Sequence, residues 1–231
     1  MIQENELWKR LNTEIIKCRT CPRLVEWREK VAREKRREFK EDDYWGKPVP
    51  GFGDRNAQIL ILGLAPGAHG SNRTGRMFTG DASGDFLYQS LYKERFSTRA
   101  ESISVNDGLQ LKKIFITAVC RCAPPANKPT RREQINCQGY LIRELSLLEN
   151  VRGIIALGGI AFNNAFDIIK DLYAINSTRR PKFGHGEFYK WKTSPIWLLA
   201  SYHPSRQNTQ TGRLTKEMFA MIWSRARRLI K

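Results

Sequence analysis

Four short apolar runs punctuate the chain, at 58–64, 113–119, 153–157 and 196–201. They are rich in Ile, Leu, Val and Ala and lack the apolar–polar alternation of a half-exposed strand. Each therefore reads as a strand buried on both faces. Between them, over 85–92, 131–148 and 160–172, apolar residues recur at helical spacing. Strands that alternate with helices predict a three-layer α/β/α sandwich around a central, mostly parallel four-stranded sheet. Ligands of such sheets bind beyond the carboxyl ends of the strands.

Leu7, Leu11, Ile15 and Ile16 give residues 1–38 a helical pattern. The charged stretch 28–43 reads as a solvated helix or an exposed excursion, and Pro48, Pro50, Gly51 and Gly53 mark a loop. At the other end, the segment Lys216 to Lys231 carries basic residues together with Met218, Phe219, Met221, Ile222 and Trp223. A packed helix with a basic outer face is the commoner reading, an interfacial membrane helix the rarer one. At 231 residues, one domain spanning 1–231 is the expectation. The segments 28–45 and 171–195 contain no recognisable motif.

Charge narrows the partners. Forty Lys and Arg against 23 Asp and Glu give a net charge of +17. An excess of that size points to a polyanion, because basic surface neutralises phosphates and releases counterions. No apolar run approaches the ~20 residues that span a bilayer. The first residues, Met1-Ile2-Gln3-Glu4-Asn5-Glu6, lack a basic region followed by an apolar stretch. The expectation is a cytoplasmic monomer with no membrane partner.

Five cysteines are present: Cys18, Cys21, Cys120, Cys122 and Cys137. Cys18-x-x-Cys21 has metal-ligand or redox spacing, although it follows a helix rather than a strand, which suits a thioredoxin-like pair poorly. Cys122 and Cys137 flank Pro124-Pro125-Ala126-Asn127 and offer a second pair. Four thiolates hold either zinc or a [4Fe–4S] cluster; disulfides are disfavoured in a reducing cell.

Two loop motifs carry the chemistry. One runs Gly63-Leu64-Ala65-Pro66-Gly67-Ala68-His69-Gly70 and on through Gly75-Arg76-Met77-Phe78-Thr79-Gly80-Asp81-Ala82-Ser83-Gly84. The other is His203-Pro204-Ser205-Arg206-Gln207-Asn208. Both sit just past a predicted strand. The stretch 70–77 echoes a P-loop, but Arg76 and Met77 stand where that motif needs Lys and a hydroxyl residue. No G-x-S-x-G elbow occurs, which argues against a serine hydrolase.

Together the two motifs resemble the active-site motifs of the uracil-DNA glycosylase superfamily, and most of all its iron–sulfur family 5, also called type b. The resemblance implies a monofunctional DNA-repair enzyme that flips uracil out of single- or double-stranded DNA and hydrolyses its glycosidic bond. It implies Asp81 and His203 as catalytic residues, with Asp81 handling water and His203 donating to the base carbonyl. Gly63, Ala65, Pro66, His69, Phe78 and Asn127 become substrate-binding candidates, with Phe78 as stacking wall. Ser205, Arg206 and Gln207 become DNA-binding candidates, with Arg206 and Gln207 as a minor-groove wedge. The spacing of the family's cysteines implies a structural [4Fe–4S] cluster on Cys18, Cys21, Cys122 and Cys137, with Cys120 spare.

This sequence departs from the wider superfamily at two places. Leu64 replaces a polar residue after the first motif glycine, as in family 5. Ala118 replaces an expected uracil-reading asparagine, which fits a broader range including hypoxanthine and xanthine. Asp81 also reads as a helix N-cap, as do Ser83 and Asp85. The competing expectation is a noncatalytic iron–sulfur nucleic-acid-binding protein with a degenerate glycosylase fold.

Overall fold

The computed structural model describes residues 2–176 and 179–231. The chain runs through α1 (Ile2–Lys17), α2 (Pro22–Glu34), β1 (Phe52–Gly53), β2 (Ile59–Gly63), α3 (Ser71–Thr74), α4 (Ala82–Lys93) and β3 (Ile114–Ala118). It continues through α5 (Arg131–Leu147), β4 (Gly153–Leu157), α6 (Gly159–Leu172), β5 (Phe188–Tyr189), β6 (Trp197–Ser201), α7 (Arg206–Gln210) and α8 (Lys216–Leu229).

The sheet order is β1-β3-β2-β4-β6-β5. The four expected strands form its centre, all parallel to one another. The expectation of a four-stranded sheet needs correction: β1 and β5 add antiparallel edges, making six strands. Each edge strand is two residues long and half-buried. Two residues carry no periodicity, so no sequence pattern marks them.

Alternation along the central strands divides the core. Leu60 and Leu62 of β2, Ile154 and Ala156 of β4, and Leu198 and Ala200 of β6 pack with Trp8, Leu11, Leu141, Phe162 and Ile169. Ile59, Ile61, Ile155, Leu157 and Leu199 face the other way, toward Leu87, Leu91, Phe219, Ile222 and Trp223. One face thus carries α1, α5 and α6, the other α4 and α8, which is the three-layer arrangement. Each fully buried Leu or Ile side chain contributes about 1.5–3 kcal/mol of transfer free energy.

The helical N-terminal stretch is two helices, broken where Pro22 opens α2 after the Cys18–Cys21 turn. Proline suits a first helical turn, where its missing N–H costs nothing. Arg23 of α2 then clamps Glu133 of α5 with two hydrogen bonds of 2.8 and 2.7 Å. Among the described residues no helix is long and apolar enough to cross a membrane.

Candidate active site

The parallel register ends with Gly63 opposite Ala118 and Leu157 opposite Ser201. Beyond that edge a cavity of about 590 Å³ opens. Ala65, His69, Phe78, Asp81, Asn127, His203, Ser205, Arg206 and Gln207 all line it, as do Leu64 and Ala118. Gly63 and Pro66, two of the substrate-binding candidates, do not. Pro66 is buried beneath the loop, and Gly63 ends β2 under the cavity floor.

Asp81 is both the N-cap of α4 and a cavity residue. Its Oδ1 accepts the Ser83 and Gly84 N–H groups, each at 3.0 Å. Its Oδ2 has no protein partner among the described residues and is enclosed by the glycine loop. A Cβ on Gly70 would lie 2.1 Å from that oxygen, and one on Gly67 2.8 Å. The loop approaches this closely only because both positions lack a side chain. Protein surrounds the carboxyl even though the cavity wets it. Burial pushes its pKa above the ordinary 3.8, against the pull of the Gly84 and Ser83 N–H groups and the Arg206 and Arg73 charges.

Phe78 and His203 form the second feature. Their rings stack with centroids 5.9 Å apart and planes 30° from parallel. Burial holds the His203 imidazole down to a pKa of about 4, so it is neutral at pH 7. Phe78 adopts φ +53°, a left-handed conformation that costs an aromatic residue about 1–3 kcal/mol. Neighbouring contacts hold it there. Buried Arg76 binds Asp107 through two nitrogens and also reaches Ser102 and Thr79. Tyr88 Oη donates to the Met77 carbonyl at 3.0 Å. Burial opposes ionisation of Asp107, but Arg76 and three backbone N–H groups hold its carboxyl well below the usual range. Gly63 completes the fit, since a Cβ there would lie 2.9 Å from two Phe78 ring carbons.

The motif around His203 is more ordered than a loop. Ser205 caps a short helix, α7, that begins at Arg206 and contains Gln207. Asn208 Nδ2 donates to the His203 carbonyl at 2.8 Å, fixing that backbone against the helix. Arg206 and Gln207 are exposed at the cavity mouth. Asn127 is also exposed, and it shares left-handed φ values with Ala126 at the turn after Pro124-Pro125.

Sequence reasoning missed one wall. Arg36, Glu38 and Phe39, from the charged stretch without a motif, line the cavity. Arg73 fastens them: its Cζ lies 3.9 Å from the Phe39 ring centroid, and Nη1 meets Asp42 at 2.6 Å. The same guanidinium donates to the carbonyls of His69 (2.8 Å) and Gly80 (3.0 Å). Phe39 within the charged run and Tyr44 directly after it were the available signal, because aromatics seldom stand in a purely solvated face.

The cysteines gather on the α1–α2 side. Cys18, Cys21, Cys122 and Cys137 line one small cavity with Leu24, Pro48, Arg121 and Tyr140. Cys120 lies in the core beneath, not in that lining. Cys120 and Cys122 both lie beyond the sheet, because β3 ends at Ala118. The Cys120 thiol instead hydrogen-bonds to Cys137 and lowers that thiol's pKa. Among the described residues no three His, Cys, Asp or Glu side chains are grouped for a single metal ion.

Arg28 tests whether this donor set suits a cluster. Its side chain is 2% exposed, and Nη1 donates to Cys122 Sγ at 3.0 Å. Its one carboxylate contact among the described residues, Glu29 at 3.7 Å, is shared with Arg19 at 2.5 Å. A buried guanidinium needs a close anion. Thiolates around an iron–sulfur centre would supply it. Asn136 likewise donates to Cys21 Sγ at 3.3 Å. N–H donors aimed at cysteine sulfurs are what such centres use, so the residues fit.

The family model described as the uracil DNA glycosylase superfamily matches residues 50–227. A type-5 uracil-DNA glycosylase from Thermus thermophilus is 51% identical over 212 residues, 92% of this chain and 93% of that one. The chain belongs to the type-5 branch of the uracil-DNA glycosylase superfamily. The type-5 protein of Mycobacterium leprae is 49% identical over 95% of this chain and 94% of its own length. More distantly, a type-4 uracil-DNA glycosylase from Pyrobaculum aerophilum is 31% identical over 76% of this chain. The superfamily match opens at residue 50, so Cys18, Cys21 and the Arg36–Phe39 wall precede it. The type-5 relatives extend over nearly the whole chain.

Proposed function

We propose that this chain is a monofunctional DNA glycosylase that hydrolyses the bond between uracil and deoxyribose in DNA, leaving an abasic site. One observation carries the reading. A single cavity holds a neutral imidazole stacked beside an aromatic ring and a carboxylate with one free oxygen. The chemistry needs both groups.

A base inside a duplex is out of reach, so it must leave the stack and enter the cavity. Phe78 offers it a flat apolar face. As the C1′–N bond breaks, its electron pair goes to the base, and His203 donates an N–H to the oxygen where that charge collects. Being neutral, His203 supplies a hydrogen bond without surrendering a full proton. The sugar becomes cationic at C1′. Asp81 Oδ2 stabilises that cation and orients the water that adds to it, taking the water's proton. Oδ1 stays tied to the α4 N-terminus, so the carboxylate is held while its other oxygen works.

Gly63 and Pro66 act from beneath: Gly63 gives Phe78 room, and Pro66 shapes the loop. Ala65, His69 and Asn127 complete the pocket. Ser205 caps α7, so Arg206 and Gln207 meet DNA from a helix end, and the +17 net charge supplies the general attraction to the duplex. Leu64 removes the wider superfamily's acid–base position, which leaves the water to Asp81. The small Ala118 leaves space for hypoxanthine and xanthine. Retention of Phe78, Asp81 and His203 in one cavity disfavours a purely binding role.

We assign Cys18, Cys21, Cys122 and Cys137 to hold a [4Fe–4S] cluster, with Arg28 donating to the Cys122 sulfur and Asn136 to the Cys21 sulfur. When bound, the cluster ties the α1–α2 turn to the segment after β3 and to α5. No step of base excision passes through it. The enzyme acts as a cytoplasmic monomer on single- or double-stranded DNA.

The test is a labelled duplex with one deoxyuridine, incubated with the iron-loaded protein and treated with hot alkali. A strand break at that position, absent from a thymidine control, supports the reading. Intact uracil, hypoxanthine and xanthine substrates with a DNA-binding preparation would overturn it in favour of a binding protein.

A further inference from the structure

The wall before residue 50 carries more than Phe39. Tyr44, from the same segment, reaches His69 on the glycine loop. Tyr44 Oη and His69 Nδ1 are 2.9 Å apart. The two rings meet edge-on, at 83° with centroids 6.1 Å apart. Sequence reasoning gave Tyr44 no role, and it lies outside the superfamily match.

The direction of that hydrogen bond follows from chemistry. A phenol is a far stronger acid than a neutral imidazole N–H, and an imidazole nitrogen is a stronger base than a phenol oxygen. The hydroxyl therefore donates and Nδ1 accepts. The Arg36 backbone N–H beside the Tyr44 oxygen satisfies it as an acceptor and favours the same direction. Burial, with the charges of Arg36 and Arg73, keeps His69 neutral at pH 7, outweighing Glu38. A neutral imidazole that accepts at Nδ1 carries its proton at Nε2. Nε2 has no protein partner among the described residues, and His69 lines the cavity with Phe78, Asp81 and His203.

We propose that Tyr44 is a positioning residue that locks His69 in its Nε2–H tautomer and makes it a second neutral donor into the cavity, directed at a ring-edge acceptor of the bound base. This rests on the reading of the cavity as a base pocket. Its consequence is a preference in ligand chemistry. Deamination turns an exocyclic amino donor into an oxo acceptor in cytosine, adenine and guanine alike. Aimed at the position that deamination alters, a fixed N–H donor accepts all three products and faces a repulsive N–H contact with each parent base. Two donors, His203 and His69, then read two oxo or ring-nitrogen acceptors without requiring a particular ring size, which complements the space left by Ala118.

The test couples spectroscopy to turnover. Histidine-15N-labelled protein, with His69 assigned through His69→Gln, should show Nδ1 unprotonated and Nε2 protonated at pH 7. Tyr44→Phe keeps the ring and removes the hydroxyl; it should convert His69 to a tautomer mixture. It should also slow single-turnover excision of uracil and of hypoxanthine about two- to tenfold, the lower figure from halving the competent tautomer and the upper from losing one oriented hydrogen bond outright, with substrate binding little changed. A wild-type Nδ1–H tautomer, an unchanged tautomer in Tyr44→Phe, or a full excision rate despite a changed tautomer would each overturn the proposal. Wild-type protein inert on every deaminated base would instead overturn the base-pocket reading, and with it the ligand assigned here, whatever tautomer is found.

Discussion

Asp81→Asn removes a charge while leaving most contacts of the side chain in place. Asparagine caps helices as well as aspartate does, so the hydrogen bonds from Ser83 and Gly84 survive through Oδ1. What disappears is the free carboxylate oxygen next to Gly67 and Gly70. A positioned base or charge of this kind is worth about 10²–10⁴-fold in rate, or ~3–5 kcal/mol of barrier. Stability should move the other way. Burial raises the carboxyl pKa in the fold above its ordinary 3.8. At pH 7 the ionised form is therefore less comfortable folded than unfolded, and a neutral amide relieves that penalty. The variant should melt no lower than wild type. Asp81→Ala, which also loses the cap, should cost ~1 kcal/mol, or about 2–4 °C in a chain of this size. The assay is single-turnover excision from a deoxyuridine duplex beside thermal melting of all three proteins. A wild-type rate in Asp81→Asn would refute the catalytic role. A slow rate together with a large drop in melting temperature would show that the residue acts through structure alone.

Acid should expose both titrating groups. Excision should fall with pH as Asp81 takes up a proton above the ordinary aspartate value of 3.8 and as His203 takes one up at about 4, and Asp81→Asn should lack only the Asp81 limb. Burial depresses His69, His185 and His203, so the unfolded chain takes up their protons first and melting temperature should fall as pH drops below 6.5. Gly63→Ala should put a methyl group 2.9 Å from the Phe78 ring, cost about 1–3 kcal/mol of stability by overpacking, and slow excision more than it weakens DNA binding. Cys21→Ser should lose iron, read by absorbance and metal analysis, and an unchanged iron content would show the ligand assignment to be wrong. Arg28→Met should retain four thiols but leave their charge uncompensated, and a cluster as stable to oxygen as wild type would count against the role given to that guanidinium.

The legible part of this protein is its periodic part. The apolar runs gave the four central strands to within a residue or two, and helical spacing gave α5 and α6. The resemblance carried by the two loop motifs implied Phe78, Asp81 and His203, and their places just past strand ends put them where a ligand would bind. Charge pattern misled in one place: the run 28–43 looks solvated, yet Arg73 draws Phe39 and Asp42 inward and makes that segment a cavity wall. No local rule reports a partner more than thirty residues away. The two edge strands escaped for the opposite reason, being too short to show a period.

Local pattern along the chain settles which residues can be buried, where strands end and which side chains can move a proton. Tertiary structure alone decided which of them meet. Whether Asp81 only caps a helix or also aims an oxygen into a pocket depends on Gly67 and Gly70 arriving from another loop. His203 is neutral because the fold desolvates its imidazole, and the tautomer of His69 depends on a tyrosine twenty-five residues earlier. Charge state and hydrogen-bond direction are properties of an environment assembled from distant segments, and desolvation exists only after the chain has folded.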